Sequence, residues 1–392
     1  MKIKSKVNNI KLLIFINSLK TFLSHRLPIA EAAYSNNYEV TIVYGETGGI
    51  DLTKLNNYPF KFIHIPTQRG GTNPFRDLKT LFDLFIIFKK ERPHIAHFVT
   101  IKPYLYGGII SRLTKVPCVV TAVSGLGTIF ITKSFKHIFL RFLLYFFYKY
   151  AFNHNNQKII LQNNDDLDLL VNWGVLNSSK SKLIRGSGVN LDIFKNFDEP
   201  IGLPIVCFAG RILRDKGIYE FVSAALLLQK RGLKAHFIIA GDMDTENPTG
   251  LKHHEIKNIT KNNVIDFIGF QKDIPKLYEN SHIICLPSYR EGLPKSLIEA
   301  SAASRVVVTT DVAGCRDAII PNKTGLLVPL RNADKLADAI QWLIENPDQR
   351  IKMGKEGRKF AEKEFSIKKI VEIHLKVYDE LMTNIIINKD KK

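Results

Sequence analysis

The sequence predicts an α/β protein of two doubly wound domains, each a parallel sheet covered by helices on both faces. Three observations predict it. Short apolar runs alternate with longer segments of helical period. That alternation is interrupted near residue 200 by a polar stretch containing Pro and Gly, and then begins afresh. Finally, 392 residues suffice for two or three domains, each large enough to bury its own core. In sheets of this kind ligands sit at the carboxyl ends of the strands, so function is expected in a cleft between the two domains.

The elements follow in chain order. Met1 to Val7 is basic and leads into Leu12 to Ile16, superficially like a signal peptide. The apolar run is short and lacks a small-residue cleavage site, so it reads as a first buried strand. Val40 to Tyr44, Phe60 to Ile65, Ile95 to Val99, Val116 to Val123 and Ile159 to Leu161 are the further strands of a first domain, residues 1–197. Arg26 to Tyr34 and Leu78 to Arg92 have helical period. Lys195 to Pro204, which ends in Pro-Ile-Gly-Leu-Pro, reads as a linker. The second domain, residues 198–367, has strands at Ile205 to Ala209, Ala235 to Ala240, Val264 to Ile268, Ile283 to Leu286 and Val306 to Thr309. Within residues 368–392, Lys368 to Ile385 has apolar side chains at helical spacing and is expected to pack back on the first domain.

Composition narrows the partners. Apolar residues make up 45% and charged residues 24%, which excludes wholesale disorder. Lys and Arg outnumber Asp and Glu by 56 to 37, a formal charge of +19. Such an excess calls for a negatively charged partner: nucleic acid, anionic lipid or a phosphorylated substrate. Cys118, Cys207, Cys285 and Cys315 are widely spaced, against a zinc site or disulfide framework and in keeping with a reducing compartment. No stretch reaches the roughly 18 to 20 apolar residues of a membrane-spanning helix, so a soluble or peripheral protein is expected. Phe135 to Phe152 is aromatic, apolar nearly all round, and carries Lys136, Arg141 and Lys149. It suits a helix in a membrane interface, the reading that aromatic density and total charge favour, or a buried helix covering the first sheet.

The chemistry is concentrated in two segments. Arg290-Glu291-Gly292-Leu293-Pro294-Lys295-Ser296-Leu297-Ile298-Glu299 follows the strand Ile283 to Leu286 and the turn Pro287-Ser288. Gly292 permits a tight turn and Pro294 suits a first helical turn, which predicts a helix from about Leu293. The amides at such a helix start, and the positive end of its dipole, suit a diphosphate. Glu291, before the helix, and Glu299, two turns along it, are placed to accept hydroxyls from different parts of one long ligand. The second segment is Gly210-Arg211-Ile212-Leu213-Arg214-Asp215-Lys216-Gly217, after the strand Ile205 to Ala209. Gly210 lets a ligand approach the backbone, while Arg211 and Lys216 are suited to neutralising a diphosphate leaving group. Arg214 reads as surface charge.

Together these segments resemble the GT4 family of retaining glycosyltransferases, which have the GT-B fold of two facing Rossmann-like domains. The resemblance covers nearly the whole chain: Gly-Arg…Lys-Gly is followed by Glu-Gly-x-Pro…Glu, a Glu-x7-Glu pattern. It implies that Arg211 and Lys216 hold the nucleotide diphosphate, Glu299 the ribose and Glu291 the transferred sugar, making Glu291, Lys216 and Arg211 the catalytic candidates. It further implies that the Leu293 to Ser296 backbone completes the phosphate cradle and that Gly269-Phe270 is the base-binding turn. Gly188-Val189-Asn190…Phe194 is similar to the family's hinge, and Gly325-Leu326-Leu327-Val328 to a recurrent late strand.

In the first half, Ser24-His25-Arg26-Leu27-Pro28, Arg69 with Asn73-Pro74-Phe75, Lys102-Pro103…Tyr106-Gly107 and Ser124-Gly125-Leu126-Gly127 resemble the branch that builds lipid-linked bacterial glycans. PglA-like N-acetylgalactosaminyltransferases and O-antigen enzymes belong to it. The branch implies a UDP-sugar donor, N-acetylhexosamine first, and an undecaprenyl-diphosphate-linked acceptor for polysaccharide or glycoprotein glycan assembly. It also implies a peripheral place on the cytoplasmic face of the inner membrane. Arg26, Lys102 and the amides of Gly125 and Gly127 are the acceptor-side candidates. The chain departs from the family where a Gly-x-Pro step is replaced by Ser304-Arg305-Val306, a turn change expected to be tolerated. His97 does not match the family's first-domain histidine and reads as a core or strand-end residue. Asp242-Met243-Asp244 is weak evidence for a metal site, and no metal or other cofactor is expected. The alternatives are a sugar-nucleotide epimerase or a phosphorylase on the same fold, and a basic nucleic-acid-binding protein, for which no reading motif is present.

Overall fold

The structure is a computed structural model that describes residues 9–67, 73–126, 135–245, 247–261 and 264–389. The chain divides into two compact units, Met1–Arg185 with Lys369–Lys392, and Gly186–Lys368.

The first unit is built on a seven-stranded parallel sheet: β1 Ile10–Ser18, β2 Tyr38–Glu46, β3 Lys61–His64, β4 Ile95–Val99, β5 Cys118–Val123, β6 Gln157–Leu161 and β7 Ser181–Leu183. Its order, β3-β2-β1-β4-β5-β6-β7, is the doubly wound one, with β1 at the reversal. Side chains alternate across the sheet. On β1, Leu12, Ile14 and Ile16 enter one core, and Leu13 and Phe15 the other. The first core is covered by α1 Leu19–His25, α2 Leu27–Ser35 and the last helix, α13 Ile367–Lys389, which contributes Ile370, Val377, Tyr378, Leu381 and Met382. The second is covered by α3 Pro74–Glu91, α4 Ile101–Leu113 and α5 Phe135–Ala151, with α6 Asn164–Asn172 following β6. The side chain of Asn73 caps α3 by accepting from Arg76 N, and Pro74 opens its first turn. His97 is wholly buried, with Nδ1 2.7 Å from Tyr378 Oη, so it is a core residue as expected.

The second unit repeats the plan with β8 Ile205–Ala209, β9 His236–Ala240, β10 Ile265–Gly269, β11 Ile283–Leu286, β12 Val306–Thr310 and β13 Gly325–Val328, in the order β10-β9-β8-β11-β12-β13. Its helices are α7 Ile218–Lys230, α8 His253–Thr260, α9 Ile274–Glu279, α10 Lys295–Ala302, α11 Ala333–Glu345 and α12 Pro347–Glu364, around one continuous core. All four cysteines are buried and free, and burial pushes the thiols of Cys118, Cys207 and Cys315 up to about 12.

The boundary differs from the expected 197/198. Residues 186–199, including part of the supposed linker Lys195 to Pro204, are tied into the second unit. Val189 N donates to Phe365 O (2.8 Å) and Ile367 N to Val189 O (2.9 Å). Arg358 donates to Phe194 O, Arg305 to Phe197 O (3.2 Å) and Asp198 O (2.6 Å), and Arg350 forms a two-pronged pair with Glu199 (2.6 and 2.9 Å). The polar composition marks a loop correctly, but three arginines supply donors for its carbonyls and for the Glu199 carboxylate.

Phe135–Ala151 is two-sided. Tyr148 and Ala151 are in the core, while Phe142, Leu143, Phe146, Phe147 and Tyr150 stand on the surface. Among the described residues no helix is long and apolar enough to cross a membrane.

Candidate active site

In the second unit the strand order reverses at β8, whose neighbours are β9 and β11. The loops leaving the carboxyl ends of β8 and β11 therefore diverge to opposite faces and leave a crevice, the favoured ligand position in such sheets. Both predicted motif segments emerge there.

The β8 loop carries Gly210, Arg211 and a single 3₁₀ turn, Arg214–Lys216, closed by Gly217 at φ 74°. A Cβ at Gly217 would overlap Pro287 O, so only glycine lets this loop press against the one leaving β11. The approach is fixed by Tyr289 N donating to Asp215 O (2.8 Å). Lys216 Nζ is thereby brought onto Glu291 Oε1, and the two side chains are 18% and 12% exposed. Ser288 Oγ lies 2.7 Å from the same Glu291 oxygen and 3.0 Å from Asp215 O, and its one proton can go to either. Thr310 Oγ1 donates to Ser288 O, tying the end of β12 into the cluster. Pattern reasoning did not single out Ser288, since one serine in a turn has no periodic signal. Its neighbours become visible only when β8 and β11 pair.

Helix α10 begins at Lys295, two residues later than expected, because Pro294 keeps an extended conformation (ψ 120°) and serves as N-cap. The first helical bond is Leu297 N to Pro294 O, so Ser296 is in the opening turn, beyond Gly292 and Leu293. Glu299, two turns along, is 8% exposed and 3.3 Å from Lys295 Nζ. Burial raises its carboxyl above the ordinary glutamate value, with Lys295 opposing the shift. A raised folded-state value means the ionised form is the disfavoured one. If Glu299 accepts ribose hydroxyls as a carboxylate, nucleotide affinity should fall on acidification, starting at a higher pH than for an ordinary glutamate. Calorimetric titration of UDP against pH, in wild type and Glu299→Gln, should show a component of this dependence that only the glutamate has.

Arg211 Nη1 is 2.7 Å from Asp244 Oδ2, on the loop after β9. Asp244 is thus the ion-pair partner of Arg211, and among the described residues no three His, Cys, Asp or Glu side chains gather as a metal set. Arg214 pairs with Glu255 (2.8 Å), a surface contact as expected. Gly210 has room: a Cβ there would make only ordinary contacts, so the fold does not require glycine at that position. Gly269 ends β10 at φ 65° and leaves Phe270 exposed. The structure therefore brings Lys216, Glu291, Gly292 and the α10 start together. Arg211 comes just after β8 and Gly269-Phe270 lies at the end of β10, both at the carboxyl ends of the strands of one sheet.

In the first unit, Lys102 is in the first turn of α4, 3.0 Å from Asp77 Oδ1, and Gly125 follows β5 at φ 131°. Thr100, between β4 and α4, has φ 76°, an unusual conformation for a β-branched residue and a mark of a constrained strand end. Arg26 differs from the expected acceptor-side contact. It is 3% exposed, beside Tyr378 and His374 of α13, and its Nε and Nη1 lack hydrogen-bond partners. Arg69 and Gly127 lie outside the described residues.

Comparison with known proteins bears on the family and the fold. A family model described as "Glycosyl transferases group 1" matches residues 190–360, and one described as "Glycosyl transferase 4-like" matches residues 11–163. The chain is 29% identical over 388 residues to the Campylobacter jejuni N,N'-diacetylbacillosaminyl-diphospho-undecaprenol alpha-1,3-N-acetylgalactosaminyltransferase, covering 93% of this chain and 99% of that protein. It is 24% identical over 364 residues to the Escherichia coli UDP-Gal:alpha-D-GlcNAc-diphosphoundecaprenol alpha-1,3-galactosyltransferase, covering 89% and 91%. Among solved structures, a glycosyltransferase from Rickettsia africae superposes with a TM-score of 0.76 at 22% identity, covering 96% of this chain and 100% of that one. Anabaena HepE in complex with UDP and glucose does so at 0.76 and 16%, covering 95% and 100%, and both likenesses speak for the fold. With one transferase family matched on each doubly wound unit, the chain is a group 1, GT4-like glycosyltransferase of the GT-B fold.

Proposed function

We propose that the protein transfers an N-acetylhexosamine from a UDP-sugar to a sugar on undecaprenyl diphosphate, with retention of configuration, in bacterial surface-polysaccharide or glycoprotein glycan assembly. The observation that carries the site assignment is the Lys216–Glu291 pair at the reversal of strand order, beside the start of α10. Substrate identity is drawn from the relatives, whose names specify sugars on diphospho-undecaprenol and, in one case, transfer of N-acetylgalactosamine.

In this scheme Lys216, Arg211 and the first amides of α10 neutralise the nucleotide diphosphate, without a metal. Glu299 holds the ribose, Glu291 the sugar, and the Gly269-Phe270 turn the base. The bond from the anomeric carbon to the diphosphate breaks with its electron pair going to the phosphate oxygen. The acceptor hydroxyl adds to the anomeric carbon from the same face, and its proton passes to that departing oxygen. Barrier reduction then comes from positioning and electrostatic stabilisation of the leaving group. Lys102, Gly125 and Gly127 are assigned to the acceptor.

The outer face of α5, with Phe142, Phe146 and Phe147 exposed near Lys149, is assigned to the cytoplasmic surface of the inner membrane, where such an acceptor resides. The deciding experiment incubates the protein with UDP-N-acetylgalactosamine and an undecaprenyl-diphosphate-linked sugar. UDP should be released only when both are present. Epimerised UDP-sugar without acceptor would support the epimerase alternative and refute the transfer.

A further inference from the structure

We propose that α3 is a second membrane-docking helix, which with α5 forms one broad face for an anionic bilayer. It deepens the membrane reading of α5 and rests on it for the choice of occupant, but the observation behind it is separate. Helix α3 is apolar on two opposite sides. Thr80, Leu84 and Phe88 face the core, yet Phe75, Leu78, Phe82 and Ile86 are 85%, 66%, 63% and 48% exposed. At 3.6 residues per turn these four form a single stripe, and Phe82 and Leu84 point in nearly opposite directions. A helix that only covers a sheet carries polar residues on its far side. Scattered exposed apolar residues need no explanation, but an aligned row of four does.

The charges around the stripe select the occupant. Arg76, Lys79, Lys89 and Lys90 of α3 are all exposed. Two of its three acids are engaged: Asp77 with Lys102 (3.0 Å) and the buried Glu91 with Lys61 (2.7 Å). Helices α4 and α5 contain no Asp or Glu. The three helices cover the same face of one sheet, with α4 packed between the other two. Sides of α3 and α5 turned away from that sheet thus point the same way, and one flat surface can receive both. A surface that is apolar below and negative above is a bilayer with anionic headgroups, for which both aromatic insertion and basic fringes are favourable.

The test is flotation of the full-length protein with vesicles of phosphatidylglycerol and phosphatidylethanolamine, and with vesicles of phosphatidylcholine alone. Four forms are compared: wild type, Phe75→Ser/Phe82→Ser, Phe142→Ser/Phe146→Ser, and the combination. Every altered side chain is exposed, so thermal unfolding should be unchanged and serves as the folding control. Each double variant should weaken partition to anionic vesicles about tenfold, the combination should abolish it, and wild type should prefer anionic over zwitterionic vesicles. Wild-type partition by the α3 variant, with loss in the α5 variant, would overturn this inference and leave the α5 reading standing. The reverse pattern would remove the α5 reading and keep α3. Should light scattering find wild type dimeric, and Phe75→Ser/Phe82→Ser monomeric with unaltered vesicle binding, the stripe belongs to a second copy of the chain and the inference fails.

Discussion

Replacing Lys216 by alanine is expected to lower turnover by roughly two to three orders of magnitude while the melting temperature moves by only a few degrees. The two effects differ because the side chain acts at different times. In the fold it pairs with Glu291 at a partly exposed position, and Glu291 keeps its contact with Ser288 when the lysine is gone, so about 1 to 2 kcal/mol of stability is at risk. In the proposed reaction the same ammonium meets charge that appears only as the diphosphate departs, and losing one such group costs about 3 to 4 kcal/mol of barrier. Glu291→Ala should match the loss of turnover by a different route, since it contacts the sugar rather than the diphosphate. Thermal stabilisation by UDP should vanish in Lys216→Ala and survive in Glu291→Ala. Turnover of either variant within about threefold of wild type would contradict the site.

The contrast between Lys216 and its surroundings also marks how far the sequence was legible. Strands such as Ile205–Ala209 and Ile283–Leu286 were readable because a doubly covered sheet demands unbroken apolar runs. The edge strand Ser181–Leu183 was not, being short and exposed with a single apolar residue. The places of Arg211 and Lys216 were legible too, since their position just after an apolar run fixes which loop each cation occupies. The support beneath them was hidden. Ser288 matters only because Gly217 lets the β8 loop touch the β11 loop, a contact between segments some seventy residues apart. The start of α10 was misjudged by two residues because Pro294, compatible with a first turn, adopts extended ψ instead. Arg26 was misjudged because a cation next to a strand end suggests a ligand, and nothing local reveals that α13 returns to cover it. Two-sided α3 was legible as a helix, but which of its apolar faces met the core was not.

Arg305→Met is expected to destabilise the second unit by about 3 to 5 kcal/mol, a larger loss of stability than Lys216→Ala should cause. The family resemblance treats this position as the middle of a turn, where Ser304-Arg305-Val306 replaces a Gly-x-Pro step, and so as tolerant. In the structure, Ser304 is in the left-handed region at φ 59°, with its hydroxyl 2.5 Å from Asn196 Oδ1. Arg305 has become a buried clamp. Its guanidinium, 2% exposed, donates to Tyr278 O (2.8 Å), Glu279 O (3.1 Å), Phe197 O (3.2 Å) and Asp198 O (2.6 Å). Burial lowers its pKa from the ordinary arginine value, while Glu199, Glu279 and Asp198 oppose that shift and help keep the charge. Methionine of similar length would fill much of the volume but take the donor from Glu279 O, Phe197 O and Asp198 O, while Tyr278 O keeps Ser281 N (3.1 Å), and each buried carbonyl so orphaned costs about 1 to 3 kcal/mol where water cannot reach it. For a unit of this size the unfolding midpoint should fall by roughly 10 °C or more. Arg305→Lys should lose part of this, because three donors on one nitrogen cannot reproduce the planar fork. Scanning calorimetry should register the drop in the transition of the second unit, with the 194–199 segment becoming the first to exchange its amides. An unchanged midpoint for Arg305→Met would mean that water or a neighbouring side chain replaces the clamp, and that residues 186–199 are held by Arg350, Arg358 and the Val189 bridge alone.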